Sequence, residues 1–172
     1  SSFAEVGTVD FPSIWNQDIR VGMELHWDGN NISLQERNYS AAIGAGASED
    51  SLDEVAIARI ARWIRTLRPE PFPEELVDTS LLGQGSTLFT TYCAACHALD
   101  GERIGQVEPI ELIGTDRSRL DSFDPELAEA MNTLGAGKPW KFTHFRSTDG
   151  YANAPIDGLW LRAPYLHNGS VP

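Results

Sequence analysis

The sequence predicts a mainly α-helical protein with long irregular loops, and three stretches of the chain favour this class. Residues 51–68 repeat apolar side chains at helical spacing. Residues 81–96 read as a second helix, and Asp124-Pro125-Glu126 is typical of the start of a third. From residue 136 to the end, glycine, proline, asparagine and aromatic residues predominate, which predicts a loop.

The helix over residues 51–68 is the clearest element. Ser51 and Glu54 have the spacing of a capping box, and Pro69 ends the helix. One apolar stripe, which we expect to face the core, comprises Leu52, Ala56, Ile60, Trp63, Ile64 and Leu67.

The helix predicted over residues 81–96 runs into Cys93-Ala94-Ala95-Cys96-His97. C-x-x-C-H is the attachment signature of a c-type haem. Two thiols three positions apart on a helical turn can each bond to one vinyl group of the same porphyrin. The imidazole of His97 is then the proximal iron ligand. The motif therefore predicts one covalently bound haem c, held by Cys93, Cys96 and His97.

Three other readings of the motif are a chance match, a thioredoxin-like dithiol and half a zinc site. A redox C-x-x-C follows a strand and opens a helix, whereas this one follows a helix-like stretch. A zinc site needs two more ligands, and His26, His144 and His167 are scattered along the chain. Haem attachment is thus the favoured interpretation.

The sixth iron ligand has three candidates, Met131, His144 and His167. Met131 belongs to the apolar face of the helix that begins near Asp124, where filling the core is the better interpretation. His144 stands in an aromatic and basic cluster, which favours packing or binding a haem propionate. His167 is kept as the possible sixth ligand, and an iron without a sixth ligand from this chain is the alternative.

Further residues are candidates for contacts with the haem. The carbonyl of Pro109 could accept a hydrogen bond from the second ring nitrogen of His97. Tyr165 or His167 could be the polar group of a distal pocket. Propionates need hydrogen-bond donors, and the regions of Trp140 and Arg162 are favoured among Arg103, Trp140, Arg146, Trp160 and Arg162.

We predict three parts in the chain. Residues 1–72 form an N-terminal segment that contains the helix near 51–68, and residues 73–80, rich in proline and acid, form a linker. Residues 81–172 form the haem domain.

Composition limits the partners. The formal net charge is −12 and the sequence pI is near 4.6. Nucleic acid and anionic lipid are therefore unfavourable partners, and a basic redox protein is a natural one. The acidity could equally serve solubility alone.

The sequence also bears on localisation. No apolar run approaches the roughly 18–20 residues of a membrane span. The stretch Ser1–Glu5 lacks the features of a signal peptide, so either a leader has been removed or the chain starts inside a longer protein. Attached haem predicts a periplasmic or extracellular protein, because haem c maturation acts on the exported side.

Residues 81–112 resemble class I cytochromes c. Members of that family carry glycine and an aromatic residue where Gly85 and Phe89 stand, and a proline where Pro109 stands. The resemblance implies a cytochrome c-like fold for the haem domain and a haem contact for Phe89.

A longer resemblance links the chain to the bacterial di-haem cytochrome c peroxidase superfamily. The final segment, Leu161-Arg-Ala-Pro-Tyr-Leu-His-Asn-Gly-Ser-Val-Pro172, looks like the signature of that superfamily. The branch that contains rubber oxygenases is similar in the runs 25–38, 41–47, 132–134, 139–146 and 150–153. Members have two C-x-x-C-H motifs and continue past the loop of His167, where a second axial ligand and a closing helix lie.

This resemblance implies that the chain is the second-haem half of such a protein, truncated at its C-terminus. In the family that half holds an electron-transfer haem, so His167 would shape the pocket without touching iron. One-electron transfer is therefore the leading functional hypothesis. The alternative is the haem domain of a di-haem oxidoreductase, either a peroxidase or a rubber-oxygenase-like dioxygenase. A structural role in a larger complex, or beside a missing second haem domain, is the third hypothesis.

Overall fold

The computed structural model describes residues 9–172, so the expectation about a leader at Ser1–Glu5 lies outside the described residues. The α-helices are α1 (Leu34–Gly44), α2 (Glu54–Arg65), α3 (Leu82–Tyr92), α4 (Ala94–His97), α5 (Ile110–Ile113), α6 (Ser118–Asp121) and α7 (Pro125–Met131). Short 3₁₀ turns span Gln17–Arg20, Glu74–Leu76 and Leu159–Leu161, and the strands are β1 (Val107–Pro109) and β2 (Gly150–Ala152). The predicted mainly α class is confirmed.

The two predicted helix starts differ in outcome. In α7 the side chain of Asp124 accepts a hydrogen bond from the amide of Leu127 at 2.8 Å, as its sequence predicts. In α2 the cap is Asp53, which accepts from the amide of Ala56 at 2.9 Å. The capping box assigned to Ser51 is wrong, because the Ser51 hydroxyl instead bonds within the preceding turn to Ser48.

Helix α1 was not foreseen. Its N-cap is Ser33, whose hydroxyl accepts a hydrogen bond from the amide of Glu36 at 3.3 Å. The residues that it buries are Glu36, Arg37 and Tyr39, two of them charged. A helix that buries charged residues has no apolar stripe at helical spacing. The sequence pattern therefore did not predict α1.

An aromatic core joins the two halves of the chain. It consists of Tyr39, Phe123, Ala128, Trp140, Phe142 and Phe145, with Ile43, Leu52, Ile57, Met131 and Leu134 packed against it. The rings of Tyr39 and Trp140 stack with centroids 5.1 Å apart. The core therefore includes residues from both sides of the predicted linker at 73–80, and the division into domains stays a prediction.

The two short strands form an antiparallel pair that positions the middle of the chain. Val107 pairs with Ala152, Glu108 with Tyr151, and Pro109 with Gly150. A Cβ atom on Gly150 would lie 1.9 Å from the carbonyl oxygen of Glu108, so only glycine permits this close approach. The pairing brings the segment after β2 next to the cysteine motif.

Helix α3 is exposed at every residue except Phe89. Leu81, Leu82, Leu88 and Tyr92 are all exposed, and a Cβ atom on Gly85 would meet nothing within 4 Å. Within residues 9–172, no helix combines the length and the apolar character that crossing a membrane requires.

Candidate haem-binding site

The cysteine motif is built by a break between two helices. Helix α3 ends at Tyr92, Cys93 leaves helical geometry, and α4 resumes from Ala94 to His97. The amides of Cys96 and His97 both donate to the carbonyl of Cys93, at 3.2 and 2.9 Å. This tight turn presents both thiols and the imidazole to one space.

That space is a cavity of about 530 Å³, within the size range of cofactor sites. Cys93, Cys96 and His97 contribute to its wall together with Arg162, Tyr165 and His167. Six of the nine residues predicted to bind the cofactor therefore line the same cavity. Most of the remaining wall is apolar, and its residues include Trp27, Leu112, Ile113, Pro155, Ile156 and Leu159.

The imidazole of His97 is held from behind by the backbone. Its Nδ1 atom lies 2.9 Å from the carbonyl oxygen of Ala154, to which the N–H donates. The assignment of this carbonyl to Pro109 is wrong, because Pro109 instead pairs with Gly150 at the end of β1. The hydrogen bond at Nδ1 fixes the ring orientation and leaves Nε2 as the nitrogen that can bind a metal.

His167 is buried and engaged with Tyr151. The two rings stack with centroids 4.1 Å apart, and the Tyr151 hydroxyl lies 3.0 Å from Nε2 of His167. That hydroxyl donates its one proton to the backbone carbonyl of Asp116 at 2.8 Å. The Nε2–H of His167 therefore donates to the Tyr151 oxygen.

Burial also shapes the protonation of this pair. It lowers the pKa of His167, although the Asp116 carboxylate acts in the other direction. Burial raises the pKa of Tyr151 to about 12, and Asp116 adds to this. At neutral pH both side chains are uncharged, so they form a neutral polar wall in an otherwise apolar cavity.

Two of the three arginines named as candidate propionate donors, Arg103 and Arg162, border the cavity. Arg162 donates to the carbonyl of Phe11 at 2.9 Å, and its guanidinium lies 5.5 Å from the ring centroid of Trp27. Arg103 also lines the cavity and pairs with Glu108 at 3.1 Å. Arg162 also pairs with Asp10 at 3.6 Å, so a propionate would share each of these two guanidinium groups with a carboxylate. Arg146 does not line the cavity and pairs with Glu24.

Trp140 is misassigned as a haem contact. Its side chain is 2% exposed within the aromatic core, and its indole N–H donates to Glu54 Oε1 at 3.1 Å. Large aromatic rings in a loop do not reveal whether they face a cofactor or a core, so the sequence could not decide. Phe89 is half-buried on α3 and, like Pro109 and Trp140, does not line the cavity.

The other two candidates for the sixth ligand lie away from the cavity. Met131 packs against the aromatic core, as expected. His144 binds the buried carboxylate of Glu36 through Nδ1 at 2.5 Å. Only His167 of the three candidates lines the cavity.

Among the site residues that the sequence did not reveal are Trp27, Tyr151 and Ala154. Trp27 and Tyr151 line the cavity, and Ala154 holds His97. Each of them is far from the cysteine motif in the sequence and lies near it only in the folded chain. No local pattern could have found them.

The donor set fits a covalent haem. Two half-buried thiols and an oriented imidazole share an apolar cavity with two arginines. Haem c requires thiols for its vinyl groups, a neutral nitrogen for its iron and cations for its propionates.

Comparison with known proteins agrees with this chemistry. Residues 83–157 match the family model described as cytochrome c, which defines the class: a cytochrome c-like haem domain with covalently bound haem c. Residues 150–172 match the model described as RoxA-like, cytochrome c-like. These matches support a cytochrome c-like haem domain, and the last part of the chain is similar to the RoxA-like branch.

A relative in Sinorhizobium fredii, described as "Uncharacterized protein y4iM", is 29% identical over 188 aligned positions. The alignment covers 95% of this chain and 42% of the relative. The chain therefore spans about two fifths of the length of that relative.

Proposed function

We propose that the chain is an electron-transfer module whose single haem c exchanges one electron at a time with a partner protein. The observation that carries this proposal is the meeting of Cys93, Cys96 and His97 in one cavity, with His97 oriented by the carbonyl of Ala154. Covalent attachment and a fixed proximal ligand are what reversible one-electron chemistry requires of a protein.

The residues of the chain have separate tasks in this proposal. Cys93 and Cys96 hold the cofactor, and His97 binds its iron. The hydrogen bond to Ala154 makes the imidazole a stronger donor, which favours the ferric state. The apolar wall excludes water, and Arg103 and Arg162 offset the charge of the propionates. Iron supplies the redox chemistry when haem is bound.

His167 acts in this proposal as part of the pocket rather than as an iron ligand. Two contacts support this role: its Nε2–H donates to Tyr151, and its ring stacks on the phenol. To bind iron through Nε2, the ring would have to give up that hydrogen bond.

The partner in this proposal is a basic redox protein in the periplasm or at the cell surface. The net charge of −12 supports a basic partner, because opposite charges steer association. Cytochrome c domains are typically exported proteins, which supports the compartment.

A second candidate is the haem domain of a di-haem peroxidase or dioxygenase. Two observations favour it. The relative is more than twice as long as the matched region, which leaves room for another haem domain. The neutral pair of Tyr151 and His167 also supplies polar groups inside the cavity, as a haem that binds peroxide or dioxygen needs.

The experiment is expression with a haem c maturation system, followed by intact mass and a pyridine haemochrome spectrum. We expect the intact mass to exceed that of the bare chain by one haem. The pyridine haemochrome spectrum should be that of a haem with two thioether bonds. A chain that keeps its bare mass would overturn the proposal.

A second experiment separates the two candidates. Electron transfer predicts reversible reduction by a basic cytochrome, with a second-order rate that falls as salt rises. An enzyme predicts binding of cyanide or carbon monoxide together with turnover of peroxide. Turnover by the full-length protein, lost in Cys93→Ala with Cys96→Ala, would favour the enzyme.

A further inference from the structure

A second cavity, larger than the haem cavity, lies between the segment 11–17 and helices α1 and α2. Its volume is about 680 Å³, and no residue lines both cavities. Its wall is mostly aliphatic, with Ile14, Ile57, Ile60 and Ile64 beside the small residues Ala41, Ala42, Gly44 and Ala45. Phe11, Ile14 and Ile60 are exposed at this site, an apolar surface that the haem site does not explain.

One formally charged side chain, Arg37, lines this cavity among the described residues. Arg37 is 7% exposed, and its Nη2 donates to the carbonyl of Ser13 at 2.6 Å. Within residues 9–172 no carboxylate lies within ion-pair distance of it. The guanidinium carries five N–H donors, and within residues 9–172 its recorded side-chain hydrogen bond is the one to Ser13.

The neighbouring buried arginine shows what Arg37 lacks. Arg20, close enough to repel it, pairs with Asp157 at 2.6 Å. Burial and the charge of Arg20 lower the pKa of Arg37 to about 10, so it stays protonated at neutral pH. An uncompensated buried cation is costly, which makes an anion at this position favourable.

The other polar groups of the wall do not supply that anion. Gln17 and Asn38 satisfy each other with reciprocal hydrogen bonds of 3.1 and 3.2 Å. His26 is engaged through Nδ1 with Asn30 Oδ1 at 2.5 Å, and burial lowers its pKa to about 4. His26 is therefore neutral and adds no second positive charge.

We propose that this cavity binds an aliphatic carboxylate, with its head at the guanidinium of Arg37 and its chain along the isoleucine wall. The planar guanidinium matches a carboxylate in a two-point contact. A single positive charge balances a monoanion, whereas a phosphate dianion would leave excess negative charge in an apolar space. The aliphatic wall selects an alkyl chain over a polar metabolite.

The test is calorimetric titration of the haem-loaded protein with decanoate below its critical micelle concentration and with 1-decanol below its solubility limit. We expect one decanoate per chain and binding of decanol that is at least tenfold weaker. The two ligands share the chain and differ in the head, so this comparison needs no variant. Equal affinities, or no saturable binding of decanoate at millimolar concentration, would overturn the proposal.

Three variants locate the site. Arg37→Gln should weaken decanoate at least tenfold and leave decanol unchanged, whereas the exposed Arg59→Gln should alter neither by more than about twofold. Ala61→Phe, which fills the cavity, should abolish both. Binding of decanoate that is unchanged in Arg37→Gln and shifts the haem absorption would place the ligand in the haem cavity and refute the proposal.

A stability measurement distinguishes a binding role for Arg37 from a structural one. Without ligand, Arg37→Gln should be at least as stable as the wild type, because it removes a buried charge that no carboxylate of residues 9–172 pairs. Decanoate should raise the Tm of the wild type and not that of Arg37→Gln. A ligand-free variant that unfolds at much lower temperature would assign Arg37 to the fold instead.

Discussion

The Nδ1 atom of His97 lies 2.9 Å from the carbonyl oxygen of Ala154, 57 positions further along the chain. This contact ties the haem motif to the segment that follows β2. The β1–β2 pairing sets the position of that segment, so the sheet controls the orientation of the proximal ligand.

We expect Gly150→Ala to raise the midpoint potential of the haem. The added Cβ would lie 1.9 Å from the Glu108 carbonyl, so β2 must move and the hydrogen bond to His97 weakens. A weaker donor ligand destabilises the ferric state, and loss of one such bond corresponds to about 20–60 mV. Potentiometric titration measures this shift. In Gly83→Ala, where a Cβ meets nothing within 4 Å, the potential should stay constant.

The role of His167 is tested by His167→Phe and Tyr151→Phe. We expect both variants to keep the axial ligation of the wild type, since the His167 Nε2–H is already donated to Tyr151. Tyr151→Phe should lower the free energy of unfolding by about 1–3 kcal/mol, because it removes the hydroxyl that bonds both the Asp116 carbonyl and His167. Electronic and electron paramagnetic resonance spectra report the ligation. A change from low-spin to high-spin iron in His167→Phe alone would make His167 the sixth ligand.

Trp140 should matter for stability and not for the haem. We expect Trp140→Ala to lower the free energy of unfolding by about 3–5 kcal/mol, because a 2% exposed ring leaves a cavity in the aromatic core. Trp63→Ala is the matched control, since that ring is 63% exposed and its loss should cost about 0.5 kcal/mol or less. Urea unfolding followed by circular dichroism gives both values. Trp140→Phe should lose less stability than Trp140→Ala and should keep the haem absorption spectrum of the wild type. A shifted spectrum would show that Trp140 contacts the haem.

His26 predicts an acid dependence of stability. Burial lowers its pKa from 6.5 to about 4, so the unfolded chain takes up a proton at a higher pH than the folded one. The stabilisation from neutral His26 is fully present above pH 6.5 and is lost as the pH falls towards 4, by up to about 3 kcal/mol. Urea midpoints across this range measure it.

His26→Gln is the control for that acid dependence. The variant should have a flatter profile between pH 6.5 and 4. Any remaining dependence of stability on pH would come from other groups, including His167. Burial lowers the pKa of His167 as well. Identical slopes for variant and wild type would contradict the assignment to His26.

Covalent attachment gives the simplest prediction. In the double variant Cys93→Ala, Cys96→Ala, the haem should become extractable into acidified organic solvent, while His97 still binds iron. Ala95→Ser, which changes a residue between the two thiols, should keep the haem on the chain. Mass spectrometry after extraction distinguishes the two variants. Haem retained by the double variant would show that the attachment lies elsewhere.

The local parts of the site were predictable. Cys93, Cys96 and His97 lie within one turn, so their shared chemistry follows from spacing alone. The start of α7 at Asp124 was equally readable, because a cap acts within three residues. The arginine near the C-terminus, Arg162, reaches the cavity as expected.

The misassigned residues have a common cause. Trp140 and Arg162 both stand in the C-terminal loop region, yet one packs into a core and the other borders the cavity. Pro109 has the spacing of a haem contact, but β1 pairs it with Gly150. Helix α1 escaped notice because the residues that it buries include Glu36 and Arg37, which satisfy no apolar pattern.

By itself the sequence determined the helical class, the attachment motif and the acidic surface, because each depends on residues that are near one another or on composition. The tertiary structure decided which carbonyl holds His97 and which aromatic rings form the core. It also decided that Arg37 is buried beside a cavity to which residues 9–172 contribute no carboxylate. These facts depend on contacts between distant segments, and only the folded chain brings those segments together.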